Sequence, residues 1–194
     1  MPAEPAYVPS VSPGALMTAD ELLLRVHIPD QHVELVRGVL LVQEPSGYLH
    51  GDVTARLTKR LMDHVDARDL GRVLAAETGF QLRTDPDTVR APDIAFIGSE
   101  RLPDPRPVGY LALAPDLVVE VLSPRDRPGE VLAKVVDWIS AGTRLVWVVD
   151  PERRLTRVYR QDGTETLVTA DEALDGEGVV PGFSCPLAAI LSDH

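Results

Sequence analysis

The sequence predicts an α/β or α+β fold with a central mixed β-sheet and helices on its faces. Three observations carry this. An apolar strand, "DLVVEVL" (116–122), is followed by a helical segment, "RPGEVLAKVVDWISAG" (127–142), and then by a second buried strand, "RLVWVVD" (144–150). A strand–helix–strand unit of this kind implies one crossover between parallel strands. The flanking segments read as short strands joined by turns, so the rest of the sheet is expected to be antiparallel. In "GDVTARLTKRLMDHV" (51–65), Val53, Leu57, Leu61 and Val65 recur every four residues, which gives a helix one apolar stripe to lay on a sheet.

Along the chain, residues 1–16 carry Pro2, Pro5, Pro9 and Pro13, too many for a helix or a central strand. They read as an extended arm and, lacking a basic residue and an apolar stretch, not as a signal peptide. Residues 17–194 are expected to form a single domain. It opens on "MTADELLLRV", with Thr18 as N-cap and Glu21 three residues on, as in a capping box. "HVELVRGVLLVQE" reads as two strands turning at Gly38. "GRVLAAETGFQLR" reads as a hairpin turning near Thr78–Gly79, "TVRAPDIAFIG" as a strand after a proline, and "RLPDPRPVG" as a loop. Pro128 opens the crossover helix and Gly142 closes it. "LTRVYR" should pair back after the turn at Asp150–Pro151, and the tail from Asp171 is turn-rich and then apolar.

The bulk numbers narrow the partners. A chain of 194 residues can bury a real core. Its formal net charge of −11 opposes loose binding to nucleic acid, so such a role needs a local basic patch or metal ions in an acidic cleft. The single cysteine, Cys185, excludes an intrachain disulfide and fits a reducing, cytoplasmic setting. No apolar run approaches the roughly 18 residues that span a bilayer. Lys59 and Lys134 are the only lysines; every other basic side chain of that class is arginine. The proline-rich arm and compact length lead to the expectation of a homodimer.

Two residues raise a chemical question. Asp93 and Glu120 are each a lone carboxylate in an otherwise apolar strand. Burying an unpaired charge costs several kcal/mol, on the order of known desolvation penalties. Strand side chains alternate, so Asp93 points with Ala95, and Glu120 with Val118 and Leu122. If the strands are neighbours, the two carboxylates converge on one face, where a hard cation such as Mg²⁺ would satisfy both. A structural pairing of Glu120 with Arg90 or another arginine would also satisfy it.

"APDIAF", then "LVVEVLSPRDR", a helix with Lys134, and "AGTRLVWVVDP" together resemble the Uma-type family, "putative restriction endonucleases" of the PD-(D/E)XK nuclease superfamily. The likeness extends upstream through "VELVRGVLLV", His50 and "AAETGFQLR", and downstream to "VVPGFSCPLAAIL", nearly the whole chain from Met17 to Leu191. It implies a restriction-endonuclease-like core, with Asp93 and Glu120 as ligands of Mg²⁺ or Mn²⁺ and the backbone carbonyl of Val121 completing the metal site. It implies hydrolysis of phosphodiester bonds, with nucleic acid, DNA by analogy, as the substrate.

The chain departs from the pattern at position 122, where leucine replaces the lysine of E-x-K. Lys134, on the next helix where the family also tends to carry a lysine, is the candidate replacement. The competing reading is an exposed Glu130–Lys134 surface pair of little energetic weight. As a catalytic lysine on an exposed helix face, Lys134 is expected to matter to chemistry and not to folding, so Lys134→Ala should leave the melting temperature nearly unchanged. His50 stands where the family has a histidine and could position a phosphate or water, or bond the backbone at a helix start. Glu77 is a further acid for the cleft. Glu34 matches a family acid and reads equally as structural. Ser123 and Asp126 read as turn and helix caps, and Trp138, where a tyrosine is expected, and Trp147 as core. Leu145 stands where many relatives have an acid. Two other readings remain: a catalytically inactive binding or assembly module on a nuclease fold, favoured by Leu122 and the net charge, and a two-carboxylate sugar hydrolase, disfavoured by only 5% aromatic residues.

Overall fold

The computed structural model describes residues 16–25, 32–76 and 78–191. The arm up to residue 15 and Glu77 therefore lie outside the described residues.

Helix α1 (Ala19–Arg25) opens on the expected capping box: the Glu21 amide donates to Thr18 Oγ1 at 3.2 Å, and the Thr18 amide to Glu21 Oε2 at 3.1 Å. Strands β1 (His32–Val36) and β2 (Val39–Gln43) form a hairpin with Val36 opposite Val39. Both loop residues, Arg37 (φ 49°) and Gly38 (φ 77°), take positive φ, which suits the strand twist and which glycine adopts without steric penalty. Helix α2 (Tyr48–Arg68) begins earlier than its apolar stripe alone indicates, so His50 lies in its first turn and not ahead of it.

The expected hairpin over 71–83 does not form. Strand β3 (Gly71–Ala75) and β4 (Phe80–Arg83) belong to different sheets. β4 pairs instead with β5 (Thr88–Arg90) through the turn Thr84–Asp85–Pro86–Asp87, a stronger turn signal than Thr78–Gly79. β3 pairs with β6 (Ile94–Gly98), the more apolar partner. Between β5 and β6 the chain passes from one sheet to the other at Ala91–Pro92–Asp93, where Pro92 has no amide to continue a ladder.

The second half follows the sequence closely. Strand β7 (Leu117–Val121), helix α3 (Pro128–Ala141) and strand β8 (Leu145–Asp150) form the predicted crossover, with β7 and β8 parallel. Pro128 sits in the first turn of α3, and Gly142 ends it at φ 108°. Strands β9 (Leu155–Arg160) and β10 (Glu165–Thr169) add antiparallel, and β11 (Ala173–Asp175) pairs with β12 (Ser184–Pro186). The sheets run β10-β9-β8-β7-β6-β3, β2-β1-β5-β4 and β11-β12. This is the mixed α/β architecture the sequence predicts.

Strand alternation gives the large sheet two buried faces. Val53, Leu57, Leu61 and Val65 of α2 pack on Ile94, Phe96, Val119 and Val121. On the other face, Val135 and Trp138 of α3 pack on Ala95, Val118, Val146 and Val148. Phe80 of β4 meets the Trp138 ring edge-on at 6.1 Å and draws the smaller sheet against α3. Leu35 of β1 turns to a third core under α1, which leaves its neighbour Glu34 on the opposite face of that strand. Among the described residues, no helix is long and apolar enough to cross a membrane.

Candidate active site

The β6–β7 register pairs Ile94 with Val119; one residue further along, Asp93 stands beside Glu120. Glu120 thus belongs to the face covered by α3, while Asp93 lies just ahead of β6 and not within a strand as expected, at the strand end between β7 and the first turn of α2. Asp93 Oδ2 accepts the Val121 amide at 2.7 Å, and its Oδ1 lies 3.1 Å from His50 Nε2. Glu120 is buried. Its Oε1 accepts the indole N–H of Trp138 at 2.8 Å, and its Oε2 lies 3.5 Å from Lys134 Nζ. Arg90, offered by the sequence as Glu120's structural partner, does not serve that role. Its guanidinium donates to Glu34 at 2.7 Å and twice to Asp137, at 2.6 and 3.1 Å.

Lys134 is not on a solvated stripe. Its side chain is only 20% exposed and points into the cluster, 3.8 Å from Glu34 Oε2 as well as toward Glu120. Glu130 pairs instead with Arg127. Leu122, where E-x-K would have its lysine, packs on the apolar cluster around Trp138. The ammonium beside Glu120 therefore comes from the following helix. Ser123 and Asp126 form a turn, with the Ser123 amide bonded to Asp126 Oδ2; the α3 N-cap is Arg127, without a side-chain cap.

The cluster is electrostatically strained. Four acids, Glu34, Asp93, Glu120 and Asp137, meet three bases, Arg90, Lys134 and His50, so one negative charge is in excess (4 − 3) even with His50 protonated. Burial pushes the Glu120 carboxyl up to about 7; Lys134 opposes the rise, Asp93 and Glu34 add to it, and the Trp138 N–H opposes it. Burial alone would lower His50, but the bond to Asp93 and the charges of Asp93, Asp126 and Glu120 hold it above its ordinary value. Burial would also lower Lys134, yet Glu120 and then Glu34 raise it well above the usual lysine range, against Arg90. Lys134 is accordingly a fixed cation, suited to charge stabilisation and not to taking a proton.

A divalent cation would more than offset the excess negative charge and leave the cluster positive for an anionic substrate. Among the described residues, no group of three or more His, Cys, Asp or Glu forms a ready-made metal cage. Mg²⁺ does not require one, since it binds through one or two carboxylates and retains waters. The hard oxygens of Asp93 and Glu120, fixed by the Val121 amide and the Trp138 indole, match that preference. The structure thus brings together Asp93, Glu120, Lys134 and His50, while Glu77 falls outside the described residues. Sequence reasoning missed the buried Glu34–Arg90–Asp137 cluster and the bond from Trp138 to Glu120. Arg90 and Asp137 lie 47 residues apart in sequence and leave no local pattern. The only signal was Trp138, one helical turn beyond Lys134 on the helix that covers the strand of Glu120.

Residues 20–188 match the Uma2 family, described as "Putative restriction endonuclease". The fold is similar to a crystal structure from Anabaena variabilis described as "a putative nuclease belonging to DUF820". The TM-score is 0.78 at 19% sequence identity, covering 90% of this chain and 97% of that one. No curated protein matches the chain.

Proposed function

As this chain belongs to the Uma2 family, we propose that it is a metal-dependent endonuclease that hydrolyses phosphodiester bonds, with DNA as substrate. The observation that carries this reading is the Lys134 ammonium, 3.5 Å from Glu120 and supplied from α3 in place of the leucine at 122.

Asp93 and Glu120, with the carbonyl of Val121, would hold Mg²⁺ or Mn²⁺. When bound, such an ion polarises the scissile phosphate and lowers the pKa of a coordinated water. The chain's own groups do the rest. The Val121 amide and the Trp138 indole fix the two carboxylates. His50 orients Asp93 from the first turn of α2. Lys134 sets a positive charge beside the cleft, where negative charge grows on the phosphate oxygens. In a chain of net charge −11, productive binding depends on the Lys134 ammonium and on the cation.

Calorimetric titration with Mg²⁺ or Mn²⁺ tests the site. Asp93→Asn should weaken binding by about tenfold or more, as expected when a charged oxygen ligand becomes a neutral one. Equal affinity in wild type and variant would remove Asp93 from the ligand set. A second reading, a non-catalytic binding module, keeps the support of Leu122 and the acidic charge. Wild type that cleaves neither single- nor double-stranded DNA with either ion makes that reading the better one.

A further inference from the structure

Glu34 is fully buried, yet it lies on β1 of the smaller sheet, apart from the turn that carries Asp93 and the strand that carries Glu120. Its two oxygens are divided. Oε1 accepts the Ala91 amide at 3.1 Å. Oε2 lies 2.7 Å from Arg90 and 3.8 Å from Lys134. Ala91 opens the turn Ala91–Pro92–Asp93, so Oε1 grips the segment that delivers Asp93. Lys134 is the cation beside Glu120, so Oε2 faces the other half of the site.

Arg90 alone does not account for this burial. Two of its nitrogens already bond Asp137, which leaves that guanidinium balanced without Glu34. Glu34 and Asp137 thus share Arg90, and Lys134, 3.8 Å from Glu34 Oε2, is the second cation that Glu34 faces. Glu120 competes for the same ammonium from the other side, 3.5 Å away. The ammonium lies between two carboxylates from two sheets, at ion-pair distance from each.

We propose that Glu34 is a positioning residue of the cleavage site, one carboxylate that holds both the turn bearing Asp93 and the Lys134 ammonium in place. The proposal rests on the nuclease reading above. A solely structural Glu34 would hold Arg90 and the Ala91 amide and would leave the Lys134 ammonium where it is. A positioning Glu34 needs its full length, because aspartate is one methylene too short to reach Ala91 and Lys134 together.

The test uses Glu34→Gln and Glu34→Asp in the full chain, assayed for DNA cleavage at saturating Mn²⁺. Each should lower kcat by about 10–100-fold, the usual effect of losing a group that orients a metal site, with little change in KM. The two lysines make a direct readout possible: in protein labelled with [¹³C]lysine, one ε-methylene line belongs to exposed Lys59 and the other to Lys134. The Lys134 line should gain motion toward that of Lys59, and the Ala91 amide should shift, while the Trp138 indole line stays in place and reports an intact fold. If Glu34→Gln fails to fold, Glu34→Asp decides. Full activity in Glu34→Asp overturns the proposal, as does a lowered kcat with the Lys134 and Ala91 lines unmoved. Wild type that does not cleave sinks the nuclease reading and this proposal with it; wild type and both variants cleaving at one rate sinks this proposal alone.

Discussion

Glu120→Gln should lower metal-dependent cleavage by roughly three or more orders of magnitude, because the several kcal/mol that a metal ion contributes to the transition state depend on its carboxylate ligands. The same substitution should flatten the dependence of stability on pH. Burial lifts Glu120 from 4.5 to about 7 in the folded protein. The native state therefore binds more protons than the unfolded chain across that window, and stability falls as pH rises through it. The contribution of Glu120 is fully present below 4.5 and is lost as pH passes about 7. Glutamine keeps the shape, can still accept the Trp138 N–H, and does not titrate. His50, also raised, gives a slope of the same sign; Glu120's charge helps to raise it, so the substitution lessens that slope too and both changes flatten the variant's curve. Urea unfolding across this range checks the result: parallel curves for wild type and variant would mean that Glu120 titrates as an ordinary carboxylate. Metal binding follows the opposite trend. It needs the ionised carboxylate, so affinity should rise with pH through the same window, with protons released on binding.

The two lone acids could be read from sequence because their signal is local. A period of two assigns Glu120 to the face of Val118 and Leu122, and Asp93 to that of Ala95, whatever the neighbours are. The ends of α3 were equally local, since Pro128 and Gly142 act through their own backbone angles. Strand partners are not local. Residues 71–83 contain two strands and a plausible turn, but a second turn at 84–87 competes for β4, and the choice rests on apolar surface that β6 supplies from elsewhere.

The site shows the same division. Glu130, Lys134 and Asp137 share a side of α3, and sequence cannot say whether that side meets water or a carboxylate on another sheet. Glu34 on β1 and Arg90 on β5 settle it, and they lie 56 residues apart. A charged residue in a short strand such as "HVELV" carries no mark that its partner is a lysine on the far helix. The placement of Lys134 also changes one expectation. A surface lysine would contribute little to folding, whereas this one is paired on two sides inside the cluster.

Lys134→Met should therefore do two things. It keeps the apolar stem that packs along α3 and removes only the ammonium. Glu34 and Glu120 then face each other without their shared cation, and stability should fall by up to about 3 kcal/mol, the low end for breaking a buried ion pair because Glu120 can take up a proton. The earlier expectation of an unchanged melting temperature does not hold for a lysine in this position. Cleavage should fall by about two orders of magnitude or more, the size seen when a charge-stabilising group is lost. Without Lys134, the Glu120 carboxyl also rises further, which weakens metal binding, so the comparison is made at saturating metal and at a temperature where circular dichroism shows the variant folded. Lys134→Arg retains a charge that the cluster stabilises, but its planar fork bonds the carboxylates bidentately and draws the charge away from the phosphate. Its rate should lie between those of wild type and Lys134→Met. A lysine acting as a proton acceptor would instead leave arginine as inactive as methionine. Lys59→Ala, which breaks only an exposed pair with Asp63 on α2, should cleave at the wild-type rate. Unchanged kcat in Lys134→Met would remove this lysine from the chemistry and leave it as the counter-ion of two buried acids.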